Sequence, residues 1–210
     1  MGKNFKSNKD ETVRMFKSDL FESLSKVHFS VPLLIYIPVI LYFIYRTNSS
    51  FYLSVYNQLL LILTGILVWT FTEYSLHRFV FHYNPKSRYG QKIHFIFHGV
   101  HHDYPKDSKR LVMPPSVSIP LSALFYFIFF QLMGNVYVSP FFVGFLTGYL
   151  FYDMTHYAIH HFQIQNSLFL FLKKHHMKHH YKDELKGFGV SQPLWDYVYR
   201  TTFEENEPKI

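Results

Sequence analysis

The stretch HFIFHGVHH, His94 to His102, carries four histidines in nine residues, and HHMKHH, His175 to His180, carries four in six. Two further groups complete the set: His77 and His82 in HRFVFH, and His156, His160 and His161 in HYAIHH. Apart from His28, every histidine of the chain lies in one of these four groups. On a helix, residues at i, i+3 and i+4 share one face. His98/His101/His102 and His176/His179/His180 both follow that pattern, and His156/His160 is an i, i+4 pair. His77 and His82 are five apart, about 140° on an ideal helix, so one of them belongs where the helix ends or bulges. Imidazole is the commonest metal ligand and suits iron, zinc, copper and nickel. A pH-sensing patch or a solvated basic face needs no repeated helical spacing. Ten or more imidazoles exceed one site, because a structural zinc takes four ligands and a catalytic one usually three. Two ions are the economical reading, about 4–6 Å apart and looser than carboxylate-bridged pairs at roughly 3.5–4 Å. Glu73, Asp153, Asp103 and Asp107 stand close in sequence to the boxes, as carboxylates that would orient the rings and offset charge. Each is equally readable as a loop cap or a surface charge.

Four apolar runs must position these groups: Val27 to Tyr45, Phe51 to Thr72, Val117 to Gly134 and Val136 to Tyr152. Each has roughly the 17–25 residues a membrane-spanning helix needs, and none contains Lys, Arg, Asp or Glu. A soluble chain of 210 residues rarely needs four such core helices. The first run follows 26 polar residues without a small-residue cleavage pattern, unlike a secretory signal peptide. If all four cross, every Lys and Arg except Arg46 falls on one side, which the positive-inside rule makes the cytoplasm. RTNSS and GNV then close two hairpins. The four histidine groups reach the same cytoplasmic face. The expected architecture is all-α: an integral membrane protein of four transmembrane helices with a His-rich dimetal helical cap on the cytoplasmic side. Residues 1–26 read as a polar cytoplasmic segment and 27–210 as one membrane-embedded domain. The formal charge of +7 fits this topology, so nucleic acid is not an expected partner. With no cysteine, disulfides, thiolate metal sites and iron–sulfur clusters are excluded.

These boxes resemble the fatty acid hydroxylase superfamily of non-haem dimetal oxygenases, and within it most closely the fatty acid 2-hydroxylases. The resemblance runs over roughly residues 65–203 and rests on EYSLHRFVFH, HFIFHGVHHDYPKDSKRLVMPP, YDMTHYAIHH and HHMKHHYKDELKGFGVSQPLWDYVYRT. RLVMPP is more specific than the boxes, which desaturases and sterol and carotenoid hydroxylases share. Carried over by motif, the resemblance implies His77, His82, His98, His101, His102, His156, His160, His176, His179 and His180 as ligands. It leaves His94, His161 and His175, which spacing alone would admit, to flanking roles. It implies O2-dependent hydroxylation at C2 of a long acyl chain, as a fatty acid or as the N-acyl chain of a sphingolipid. Iron is the metal expected for turnover, with zinc able to occupy the same imidazoles in isolated protein. Tyr152, Tyr157, Lys109 and Arg110 are candidate contacts for the polar end of the lipid; for most tyrosines an interfacial belt is the plainer explanation. Eukaryotic relatives often begin with a b5-type haem domain. Here no His-Pro-Gly-Gly or G-x-G-x-x-G motif occurs, so the resemblance implies an external electron donor, a b5-type cytochrome or a ferredoxin with its reductase. A bacterial inner membrane and an endoplasmic reticulum membrane both suit the chain. The competing readings are another oxygenase of the superfamily, acting on a sterol or carotenoid or desaturating an acyl chain, and a non-redox membrane zinc protein. No H-E-x-x-H hydrolase motif occurs, and the runs lack the ionisable residues a transporter uses.

Overall fold

A computed structural model describes residues 5–203. Lys3 and Lys209, both part of the charge count, lie outside the described residues. The described residues contain helices and no strand. In chain order they are α1 (Asp19–Leu24), α2 (Val31–Ser50), α3 (Val55–Ser75), α4 (Arg88–His94), α5 (Val100–Asp103), α6 (Pro115–His161), α7 (Ser167–Tyr181) and α8 (Leu194–Val198). Two π-helical turns, Leu76–Phe81 and Phe95–Gly99, continue α3 and join α4 to α5.

Three helical stretches are long and apolar enough to cross a membrane: Val31–Ser50, Val55–Phe81 and Pro115–His161. Their outer faces expose large apolar side chains, among them Leu41, Leu59, Leu63, Leu67, Leu124 and Phe127. Contiguous apolar surface on this scale belongs against lipid, and the chain is a multi-pass membrane protein. The expected third and fourth runs form one continuous element, α6, but it is not straight. Gly134 breaks it with φ 72° and ψ 177°, a backbone open to glycine and strained for other residues. Phe125 and Phe145 have ring centroids 5.1 Å apart, and Phe129 and Phe141 4.8 Å. Twenty residues of straight helix would separate the first pair by about 30 Å. The arms of α6 therefore fold back on each other at Gly134, where GNV promised a turn.

The second arm of α6 is the centre of the bundle, with Phe141, Phe142, Phe145, Leu146 and Tyr149 all buried. It meets α3 at a contact only glycine permits. A Cβ on Gly65 would stand 2.1 Å from the Phe141 carbonyl oxygen, and one on Gly144 1.9 Å from that of Ile62. This contact sets how α3 and α6 deliver their C-terminal ends, and with them His77, His82, His156 and His160. Gly144→Val is expected to cost about 3 kcal/mol or more, at the upper end of overpacking. A fall in thermal midpoint of the detergent-solubilised chain measures it; an unchanged midpoint would contradict the close crossing.

The N-terminal segment is not a detached tail. Lys6 pairs with Asp103 at 2.6 Å, Thr12 Oγ1 donates to Asp107 at 2.7 Å, and Ser108 N donates to Asp10 at 3.0 Å. The Arg110 guanidinium binds Glu22 at 2.7 Å and also donates to the Val13 carbonyl oxygen. Residues 6–22 are thus strapped across the loop that follows α5.

Candidate metal centre

The ten histidines of the motif assignment converge into two groups of five. His77, His82, His98, His102 and His179 form the first; His101, His156, His160, His176 and His180 form the second. Within each group one ring nitrogen per residue lies within 4.8 Å of all the others. The groups adjoin, with His102 stacked on His180 at 4.3 Å between ring centroids. His94, His161, His175 and His28 belong to neither group.

Helix register explains the partition. In each His-x-x-His-His box the i, i+4 pair enters one group and the middle histidine the other. His98 and His102 go to the first group and His101 to the second; His176 and His180 go to the second and His179 to the first. The boxes of α5 and α7 therefore interlock. The five-residue spacing of His77 and His82 is met by the π-helical turn, in which the His82 amide donates to the His77 carbonyl oxygen at 3.1 Å. An i→i+5 turn sets residues five apart on one face, and such bulges recur at functional sites. Their Nε2 atoms are 3.3 Å apart. The expected bulge and helix end both occur here, since the helix stops at His82.

The donor chemistry fits a cation. His77 donates from Nδ1 to the Phe188 carbonyl oxygen at 2.5 Å, leaving Nε2 as a bare lone pair. That Nε2 lies 3.1 Å from His98 Nε2 and 3.3 Å from His82 Nε2, and those two are 3.1 Å apart. A triangle of nitrogens cannot place a hydrogen-bonding proton on every edge while one corner has none to give. The second group repeats the crowding: His156 Nε2 meets His101 Nε2 at 2.9 Å, and His160 and His180 each meet His176 at 3.0 Å. Burial and then the neighbouring imidazoles hold His98, His101, His176 and His180 well below the usual histidine range, and burial holds His102 down to about 3. Neutral, buried, convergent imidazoles are metal-ready ligands.

Among the described residues none of Glu73, Asp153, Asp103 and Asp107 hydrogen-bonds to a ring of either cluster. Glu73 holds a loop instead. It accepts from the amides of Val190 and Ser191 at 2.8 Å and from the Ser191 hydroxyl, fixing the loop after α7. Asp103 and Asp107 are occupied with the N-terminal segment, because the loop after α5 turns them away from the boxes. Asp153 accepts a long 3.4 Å bond from the Met113 amide and lies beside the Tyr149 hydroxyl. Sequence proximity alone offered no sign of Asp196. It is fully buried, and its carboxylate holds Phe188, Gly189 and Thr201.

An apolar cavity of about 730 Å³ runs up to the centre and ends on His98, His101 and His156, drawn from both groups. Its wall includes Phe16, Leu76, Phe81, Phe97, Val112 and Val117. Among the candidate lipid contacts, Tyr152 lines this cavity and is buried. Arg110 also lines it, but its guanidinium is already engaged by Glu22 and Val13. Tyr157 stacks on Phe29 and His161 and is not on the wall. Lys109 is likewise off it.

Two all-imidazole clusters able to hold metal ions, set at the end of an apolar cavity in a multi-pass helical membrane protein, define the class. The family model for fatty acid hydroxylases matches residues 62–201, and the chain belongs to that family. It is 39% identical to the fatty acid 2-hydroxylase of Mus musculus over 94% of this chain and 59% of that one. It is 38% identical to a dihydroceramide fatty acyl 2-hydroxylase of Arabidopsis thaliana, over 95% of this chain and 84% of that one. The solved structure of full-length scs7p, in which only the hydroxylase domain is visible, superposes with a TM-score of 0.84. The identity is 36%, over 92% of this chain and 73% of that one. The chain thus spans 59% of the length of the mouse relative.

Proposed function

We propose that this protein is an O2-dependent dimetal hydroxylase that places a hydroxyl on C2 of a long acyl chain, carried as a fatty acid or as the N-acyl chain of a sphingolipid. The observation that carries the reading is the apolar cavity ending on imidazoles of both clusters. The names of the mouse and Arabidopsis relatives support the same reaction. The net change converts CH2 at C2 to CHOH, consuming O2, two electrons and two protons and releasing water. Iron held by the two clusters supplies the redox chemistry that no side chain can. Zinc suits the same nitrogens but does not turn over.

Each set of residues then has its task. His77, His82, His98, His102 and His179 hold one ion, and His101, His156, His160, His176 and His180 the other. The apolar wall takes the acyl chain out of water, at about 25 cal/mol per Å² of apolar surface buried. Tyr152 and Asp153 stand where the cavity meets His156. The Asp153 carboxyl, beside the Tyr149 hydroxyl, is a hydrogen-bonding partner for the polar end of the lipid. Asp153→Asn is expected to raise KM about tenfold, within the value of a hydrogen bond, while the metal content stays unchanged. A loss of metal together with activity would instead place Asp153 in support of the ligands.

Residues 27–210 act as one domain, with four membrane crossings made by α2, α3 and the two arms of α6. The Lys and Arg distribution supports a cytoplasmic site and cytoplasmic termini. Electrons would come from a b5-type cytochrome or a ferredoxin with its reductase. Expression in a host free of 2-hydroxylated lipids, followed by lipid mass spectrometry, tests the function. New 2-hydroxyacyl species support it; new sterol, carotenoid or desaturated products would replace it.

A further inference from the structure

The two clusters differ in what holds the outer nitrogens of their rings. In the first, His77 Nδ1 donates to the Phe188 carbonyl oxygen at 2.5 Å and His179 Nδ1 to the Lys186 carbonyl oxygen at 2.7 Å. Glu184 also lies on this side, with Oε2 4.0 Å from His102 Nδ1. In the second, the Nδ1 atoms of His156, His176 and His180 are buried without a partner among the described residues. A single segment, residues 184–188, therefore serves the first cluster alone.

That segment is held in shape from beneath. Asp196 accepts from Phe188 N at 2.9 Å and Gly189 N at 2.8 Å, the amides beside the carbonyl that orients His77. It also accepts from the Thr201 hydroxyl at 2.7 Å and faces His175 Nε2 at 3.2 Å. Thr201 closes the loop through its backbone, its carbonyl accepting from Gly187 N and its amide donating to the Asp196 carbonyl, both at 2.8 Å. None of these four neighbours is a ring of either cluster, so the carboxylate reaches the first cluster chiefly through the loop, while its His175 contact ties the loop to α7.

We propose that Asp196 is a positioning residue for the ion of the first cluster, and that the two metal sites are unequal as a result: the first cluster holds its ion more tightly and releases it more slowly than the second. The inference rests on the two-metal reading above. An acceptor on the outer nitrogen fixes the tautomer and orientation of an imidazole and raises its basicity. Removing such a partner lowers metal affinity about 10–100-fold. The first cluster has two rings fixed by carbonyls, whereas three rings of the second have buried outer nitrogens with no acceptor.

Release of Co2+ or Zn2+ from the loaded full chain in detergent, followed in excess chelator, tests this. Two phases of one ion each are expected. His156→Ala should abolish the fast phase and leave the slow one, which assigns the phases. Asp196→Asn keeps the shape but presents an amide to the Phe188 and Gly189 N–H groups. It should speed the slow phase about 10–100-fold and leave the fast phase unchanged. Thr201→Val, which keeps the carboxylate, should speed the same phase to a smaller extent, and it carries the test if Asp196→Asn fails to reach wild-type helicity by circular dichroism. Equal acceleration of both phases, or of neither, would overturn the positioning role. Two ions leaving in one phase would overturn the inequality. One ion per wild-type chain would overturn the two-metal reading itself.

Discussion

Replacing any one of His98, His102, His156, His160, His176 or His180 with alanine is expected to reduce hydroxylation by about 10²-fold or more. Even losing a partner one shell away from a metal costs roughly 10–100-fold, and these substitutions remove a nitrogen from the cluster itself. The clusters touch through His102 and His180, so losing either ring disturbs both sites. Metal content should fall with activity, by up to one ion per chain, while helicity is retained because the bundle is held by α2, α3 and α6. His28→Ala should be silent, since His28 is exposed and its ring meets only local neighbours among the described residues, Phe29 and Ser30. His94→Ala should keep measurable activity, since His94 stands on the cavity wall but outside both clusters. If His94→Ala lost activity and metal to the same degree as His98→Ala, the membership of the first cluster would have to be redrawn.

Filling the cavity should separate substrate binding from metal binding. Val117 lines the cavity from the first arm of α6 and belongs to neither cluster. Val117→Trp places an indole where the acyl chain would run. The expected result is a fall in kcat/KM of about tenfold or more on long acyl chains, some 1.4 kcal/mol of lost transition-state binding. Shorter acyl chains should lose less, and the metal content should not change. A uniform loss at all chain lengths would mean that the cavity does not hold the acyl chain.

Much of the fold was legible in the sequence because its signals are local or additive. Four uncharged runs, two short connections and the placement of Lys and Arg describe a hairpin bundle, and Gly134 sits where the turn was expected. The ten histidines as a set were readable from helical spacing together with the motifs. Their partition was not. It arises where the rings of the His98–His102 box meet those of the His176–His180 box, more than seventy residues further on, and no local pattern shows that His101 and His179 cross to the opposite cluster. The π-helical turn at Leu76–Phe81 was legible only as a mismatch, a five-residue spacing that no α-helix resolves. The carboxylates were hardest to place. Asp103 and Asp107 sit near the boxes in sequence yet anchor the N-terminal segment. Asp196, sixteen residues after His180, supports the first cluster through backbone carbonyls that have no sequence signature. A side chain acting through the main chain leaves no spacing rule to read.

The origin and destination of the oxygen atom separate 2-hydroxylation from every rival reaction. The iron-loaded chain, supplied with an electron donor, would be incubated under 18O2 with an N-acyl lipid deuterated at C2, and the product read by mass spectrometry. One 18O is expected in the acyl chain, at C2, with loss of one C2 deuterium and no label from solvent water. Label from water, oxygen at another carbon, or a double bond without oxygen would contradict the proposed reaction.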